Sequence, residues 1–411
     1  MNLRSASART EHGQVLIIVS LGLVVIVAMV GLVIDGGFAW GQQRRTQNGA
    51  DAMANAGAAV LAENLAGVSP ARTDGDVGCA VESAAAANGV ANPVAFYTDI
   101  EGNFLSPSVQ VGACNAGAGA VVPTTAEGVK ASGERTFDTF LARVIGFNQF
   151  TASASATAVA GILAEVCPAD AGCAILPVTF PWTSVTCDHT HQQVQVGTEE
   201  WPLVQVLDPA GANYATSSNE VLIPLCSTGP GSVGWLDLGC GNLDETIQNP
   251  CNVSIPIPTW LHTQSGNVNA LEDEINDFAG PMVGEPDDSI VLLPINDNTC
   301  SSNPNDDEPE GVDDPNCPGN GDESQNGSGN GDNLYYHVPR FAGFMMDQAY
   351  IGGNDDPCFD TPGQPALDEG SVTGFVGCFK GWFVHYVIEG PVISGASGPQ
   401  DPSVIGIQLI R

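Results

Sequence analysis

Val15 to Ile34 is a run of twenty residues in which Ser20 is the one polar side chain. As a helix rising about 1.5 Å per residue, it can cross the roughly 30 Å hydrocarbon core of a bilayer. A cleaved signal peptide has a shorter apolar core, about 7–15 residues, and a small-x-small site directly after it. Here Asp35-Gly36-Gly37-Phe38 follows instead, so we read residues 15–34 as a retained transmembrane helix. Charge does not orient this helix, because Arg4 and Arg9 precede it and Arg44 and Arg45 follow it. Cysteine does. All 12 cysteines come after the run, and an even, high count suits an oxidising compartment. That places residues 1–14 in the cytosol as a short tail and the rest of the chain outside.

Beyond Asp35 come Arg44-Arg45 and then Thr46-Gln47-Asn48-Gly49-Ala50-Asp51-Ala52-Met53-Ala54-Asn55-Ala56-Gly57-Ala58. An apolar span ending in Asp, a basic pair and a Gln-Asn-x-Ala-Asp-Ala run, in that order, resembles the TadE/TadG-like family of Tad-type Flp pilus-assembly proteins. The positions that carry the resemblance are Asp35, Gln47, Asn48, Ala50, Asp51, Ala52 and Gly57. Phe140-Leu141-Ala142-Arg143-Val144-Ile145-Gly146 resembles the same family less specifically, so the likeness extends over about residues 12–165. Gly13 stands before the run as in prepilin cleavage sites. Ile18, however, occupies the position where processed pilins of that class carry Glu, so the likeness is to an uncleaved TadG-like protein. The resemblance implies a pilin-like α+β region over residues 35–165. It also implies a structural or anchoring role in assembling an adhesive pilus, with the N-terminal helix packing against other pilus-assembly or envelope proteins. The rival reading is a surface adhesin or envelope structural protein that reuses the same anchor.

Composition narrows the partners. The net charge is −36 although only 14% of residues are charged. Lys and Arg have almost vanished, and between Arg143 and Arg340 there is neither. Phosphate binding needs clustered cations, so a nucleic-acid partner is excluded. Two readings of the acidity stay open: solubility in salty surroundings and divalent-cation binding. An apolar content of 43% with frequent Gly and Pro indicates folded, β-rich structure rather than disorder.

Along the chain, Gln42 to Leu65 lacks Pro and is rich in Ala, which predicts a helix ending before Gly67 and Pro70, with Gly36, Gly37 and Gly41 as bending points. Ala84 to Val90 reads as a short helix closed by Gly89. Gly128–Ser132 and Thr151–Ala160 read as strands. Between them, Phe137, Phe140, Leu141, Val144 and Ile145 fall at i, i+3, i+4, i+7 and i+8, which predicts a helix. After residue 165 the candidates are short strands at 175–180, 202–206, 221–225, 253–257, 289–293, 335–338 and 381–388, with one helix at Asn267–Phe278. Residues 296–333 form an acidic loop of Asn, Asp, Gly, Pro and Ser that cannot bury a core. The fold class is therefore α+β. A long N-terminal transmembrane and juxtamembrane helix leads into a pilin-like α+β domain, and a mainly β, disulfide-stapled domain follows over residues 166–411.

Candidate chemistry is sparse. Asp322, Ser324, Asn326 and Asn330 fall at positions one, three, five and nine of a partial EF-hand-type loop with Gly327 at six. Asn333 stands where a bidentate Glu is wanted, so calcium competes with a plain solvated linker. Cys187, His189 and His191 alternate as on one strand face, a zinc pattern set against a disulfide cysteine beside two exposed histidines. Six cysteines are candidates for bridges, pairing as Cys79–Cys114, Cys300–Cys317 and Cys358–Cys378. The chain lacks a Gly-x-Ser-x-Gly elbow, a His-Glu-x-x-His pair, a phosphate-binding Gly-Lys-Ser/Thr and a von Willebrand A-type Asp-x-Ser-x-Ser. We expect no enzymatic activity and no cofactor besides calcium.

Overall fold

The computed structural model describes residues 12–114, 120–166, 175–181, 183–187, 193–200, 221–226, 235–239, 243–248, 254–264, 275–276, 290–296, 298–301, 322–323, 334–351, 375–395 and 403–410. Its longest element is α1, His12–Leu65, 54 residues without a break and about 80 Å long. The helix runs on through Gly36, Gly37 and Gly41 without interruption, and nothing lies within 4 Å of where their Cβ atoms would be. The helix ends in a Schellman motif. Gly67 takes φ +81°, while the N–H groups of Gly67 and Val68 return to the carbonyls of Asn64 and Glu63.

The two halves of α1 face different surroundings. Residues 16–30 are exposed throughout. Among the described residues this is the one helix long and apolar enough to cross a membrane. The later half is packed. Ala50, Met53, Ala54, Ala58 and Leu61 are buried, repeating at the three- and four-residue intervals of one helix face. They meet α2 (Asp74–Ala87) and the strands β1 (Ala91–Thr98), β2 (Gly128–Asp138) and β3 (Gln149–Leu163). Thr73 and Asp76 start α2 with a reciprocal capping box. Small residues let these layers approach: a Cβ on Gly57 would lie 2.9 Å from Val129 and 3.0 Å from Val81.

β1, β2 and β3 form an antiparallel sheet, with β2 and β3 in continuous register from Gly128↔Val159 to Asp138↔Gln149. Residues 137–145 are thus not the helix that their apolar spacing predicts. Phe137 and Asp138 belong to β2, and only Ala142–Ile145 turns, as a single 3-10 segment. The apolar positions instead clasp the helix: Phe38 packs edge-to-face on Phe137 and Phe140 at 5.4 and 5.1 Å.

A second sheet is inserted within the first. Its members are β4 (Phe180–Pro181), β5 (Val221–Cys226), β6 (Ile290–Asn296), β7 (Arg340–Ile351) and β8 (Phe375–Val384), ordered β4-β6-β7-β8-β5. β6 is buried along its whole length, sandwiched between a large cluster around Trp235, Phe344, Phe379 and Phe383 and a smaller one around Met345 and Trp382. The chain then returns. β9 (Val387–Glu389), β10 (Val392–Ile393) and β11 (Ile405–Ile410) rejoin the first sheet, β10 and β11 pairing with β3 and β9 with β11. Leu163 and Val166 share a core with Leu292, Val338 and Phe341 where the two sheets meet.

Of the strand candidates, 221–225 and 335–338 lie within strands, as does 290–293 of the candidate 289–293, whose first residue lies outside the described residues. Candidate 381–388 spans the end of β8 and β9, and 253–257 shrinks to Ile255–Pro256. In 175–180 only Phe180 enters a strand, Ile175 and Val178 making isolated bridges. Candidate 202–206 lies outside the described residues, as does most of 267–278.

The closest approach in the first region is backbone to backbone. A Cβ on Gly78 would sit 1.9 Å from the carbonyl oxygen of Gly112. We predict that Gly78→Ala destabilises the protein by about 1–3 kcal/mol through overpacking. Gly36→Ala, in open space, should leave stability equal or slightly raised by helix propensity. Thermal melting of the two purified variants against the parent chain checks both.

Candidate functional site

Asp35 is the first ionisable residue after the apolar run, and only 7% of it is exposed. Its carboxylate accepts three backbone N–H groups from the β2–β3 turn. Phe140 donates to Oδ1 at 2.7 Å, Leu141 to Oδ2 at 3.0 Å and Ala142 to Oδ2 at 2.5 Å. These N–H groups have no intrahelical partner because they open the 3-10 turn, and an anion is what such donors accept best. Desolvation pushes the Asp35 carboxyl up. The three N–H bonds and the nearby Arg143 charge outweigh it and hold the group below the usual carboxylate range.

About two and three turns further along α1, two glutamines reach the same hairpin. Gln43 Nε2 donates to the Ser153 carbonyl at 2.8 Å, and Gln47 Nε2 donates to the Ser155 carbonyl at 3.3 Å and to Asp51 Oδ1 at 2.8 Å. Arg44, Gln47, Asn48, Asp51 and the end of β11 at Ile410 enclose a shallow cleft of about 490 Å³. Ala50 is buried, Ala52 half-buried, Asn48 exposed, and Gly57 packs under Val129. Of the motif residues, Asp35, Gln47 and Gly57 fasten α1 to the β2–β3 hairpin.

The family model described as putative Flp pilus-assembly TadE/G-like matches residues 13–60. This N-terminal part is of the Tad type. No curated protein and no solved structure matches the chain. The Tad-type segment begins and ends inside α1, so Asp35 and the Gln-Asn-x-Ala-Asp-Ala run lie within it. Their partners on the hairpin lie beyond it. Sequence reasoning placed Asp35 in the motif but missed both the 140–142 amides and Gln43. The available signal was physical: a carboxylate at the end of an apolar helix needs donors.

Elsewhere the candidates divide. Cys79 and Cys114 are joined by a disulfide that ties α2 to the loop after β1. Asp322 sits in a two-residue strand opposite Ser301, with Glu323 opposite Cys300. Ser324, Asn326, Asn330, Cys317, Cys358, His189 and His191 lie outside the described residues. Cys187 pairs with Gln193 in a hairpin, and Cys378 lies in β8 between Pro224 and Tyr350. Among the described residues no group of three His, Cys, Asp or Glu is placed to hold a metal. Two buried phenols among the described residues are perturbed: burial pushes Tyr336 up to about 12, and burial first, then the hydrogen bond to Asp74 at 2.7 Å, push Tyr97 well above its usual value. Asp74 also accepts the Gly112 N–H at 3.0 Å, so this pair braces the loop after β1.

Because the folded Asp35 value is depressed, its contribution is present above the unfolded value of about 3.9 and is lost as pH falls through the lower folded value. Asp35→Ala should speed hydrogen exchange at the Phe140, Leu141 and Ala142 amides about tenfold or more, leaving Ala156–Ala160 unchanged. The difference in melting temperature between parent and variant should shrink below about pH 4, as melting curves across pH will report.

Proposed function

We propose that this chain is a membrane-anchored component of a Tad-type Flp pilus assembly with a structural, non-catalytic role. The observation that supports this reading best is the coincidence of the Tad match at 13–60 with an apolar helix whose residues 16–30 have no cover. A helix with that surface requires lipid or other helices around it. The N-terminus is cytosolic and the sheets lie in the periplasm or outside the cell, because every cysteine follows the span and thiols bridge in oxidising compartments. Its partners are other pilus-assembly proteins, met through α1.

One observation favours a second reading. The Tad match stops at residue 60, and the sheets that follow carry no such match, as in an adhesin or envelope protein built on a borrowed anchor.

Deleting the gene in the source bacterium separates the two. Under the first reading, surface pili disappear by electron microscopy. Re-expressing the full chain restores them, but a chain whose residues 13–60 are replaced by an unrelated single-span anchor does not. Pili that persist while adherence is lost would instead establish the adhesin reading.

A further inference from the structure

The β2–β3 hairpin reaches toward the N-terminus of α1 as far as the apolar run. Val129 lies against Gly57, Gly133 beside Met53, and the Phe137 ring against Phe38. At the turn, Leu141 covers Gly31, whose Cβ would stand 3.1 Å from the Leu141 Cβ. From Gly57 back to Gly31 is about 39 Å of helix; β2 from Val129 to Asp138 runs beside about 30 Å of it as extended chain, and the turn covers the rest. Gly31 lies inside the apolar run of residues 15–34, so the hairpin ends roughly one turn within it.

The composition of this turn fits that depth. Phe140 is 55% exposed, Val144 80% and Phe147 57%. Leu32, Val33 and Ile34, next to the Gly31 and Asp35 that the turn touches, are exposed as well. Trp40, also exposed, stacks with Arg44 at 5.1 Å on the side away from the run, the arrangement common where a helix leaves lipid. Arg143 is the turn's one ionisable side chain, and its Nε returns to the Thr139 carbonyl at 2.9 Å. A long basic side chain at this level reaches headgroups.

The backbone is the second, independent observation. Irregular chain in a water-poor layer must satisfy its own N–H groups. Phe140, Leu141 and Ala142 donate to Asp35, while Val144, Gly146 and Phe147 donate to the carbonyls of Leu141, Arg143 and Ala142. The carboxylate in turn finds its donors within the protein.

We propose that the β2–β3 turn is a second membrane contact, with Phe140, Val144 and Phe147 seated in the headgroup–acyl boundary of the bilayer that α1 crosses. The inference rests on the reading of residues 15–34 as a transmembrane span. Two contacts on one rigid unit fix its tilt and rotation, which a single span leaves free. The sheets would then be presented to pilus partners in one orientation.

The test uses the full chain in phosphatidylcholine vesicles, with the photo-crosslinking residue benzoylphenylalanine placed at one position at a time. Val24 reports the middle of the span. Val121 is 82% exposed and pairs with Thr73, next to Arg72, which bonds Asn64 near the far end of α1. Val144→benzoylphenylalanine should give lipid adducts in a yield like that at Val24 and about tenfold above Val121. Lipid adducts at Val24 with no excess at Val144 would overturn the second contact alone. So would a Val144 adduct to a second copy of the chain in place of lipid. Absence of lipid adducts at Val24 would overturn the span and, with it, this inference.

Discussion

The structure depends on a seam between a helix and a hairpin that only small side chains allow. Gly57 beneath Val129 and Gly49 beneath Val90 bring α1 within van der Waals reach of its neighbours. The buried alanines at 50, 54 and 58 keep that reach along the same face. A larger residue at either glycine would lift the helix off the sheet. Everything at the membrane end follows from this contact. With α1 held against β2 and β3, the Asp35 carboxylate and the 140–142 amides arrive at the same place from positions about a hundred residues apart.

The second sheet is inserted between β3 and β9, so both of its connections to the first region lie close together. Leu163 and Val166 enter it, Tyr386 and Ile388 leave it, and all four pack in one cluster with Phe341 and Val404. A domain tied at two neighbouring points through a shared apolar core moves with its base rather than swinging from it. Load applied to the distal sheet therefore passes into β3 and β11, and through them to α1.

What the sequence makes legible is what is local. The apolar run, the Ala-rich face of α1, the Gly67 and Gly89 stops and the first half of the strand that begins at Gly128 all have signatures within a dozen residues. The helix expected at 137–145 failed for an instructive reason. Phe137, Phe140 and Leu141 share helical spacing because they meet a helix, Phe38 and Gly31 being their targets. An imprint of α1 on its neighbour reads in one dimension like a helix of its own. The pairing of Ile405–Ile410 with residues 157–162 had no local mark at all, since long-range register is set by packing. The motif residues Gln47 and Asp51 were visible, but not what they fasten, because Gln47, held by Asp51, donates to the backbone of Ser155, and a carbonyl carries no sequence identity.

The two glutamines have one more consequence. β11 pairs with β3 only as far as Thr157, so on that side β3 runs on from residue 156 to 149 without a neighbouring strand among the described residues. A bare strand margin is a template for any other extended chain, and in a crowded envelope it invites misassembly. Gln43 and Gln47 hold the Ser153 and Ser155 carbonyls, two of the acceptors an intruding strand would need. The long apolar helix thus also guards the sheet it packs on, and a chain that lost the helix would be left with a sticky strand margin.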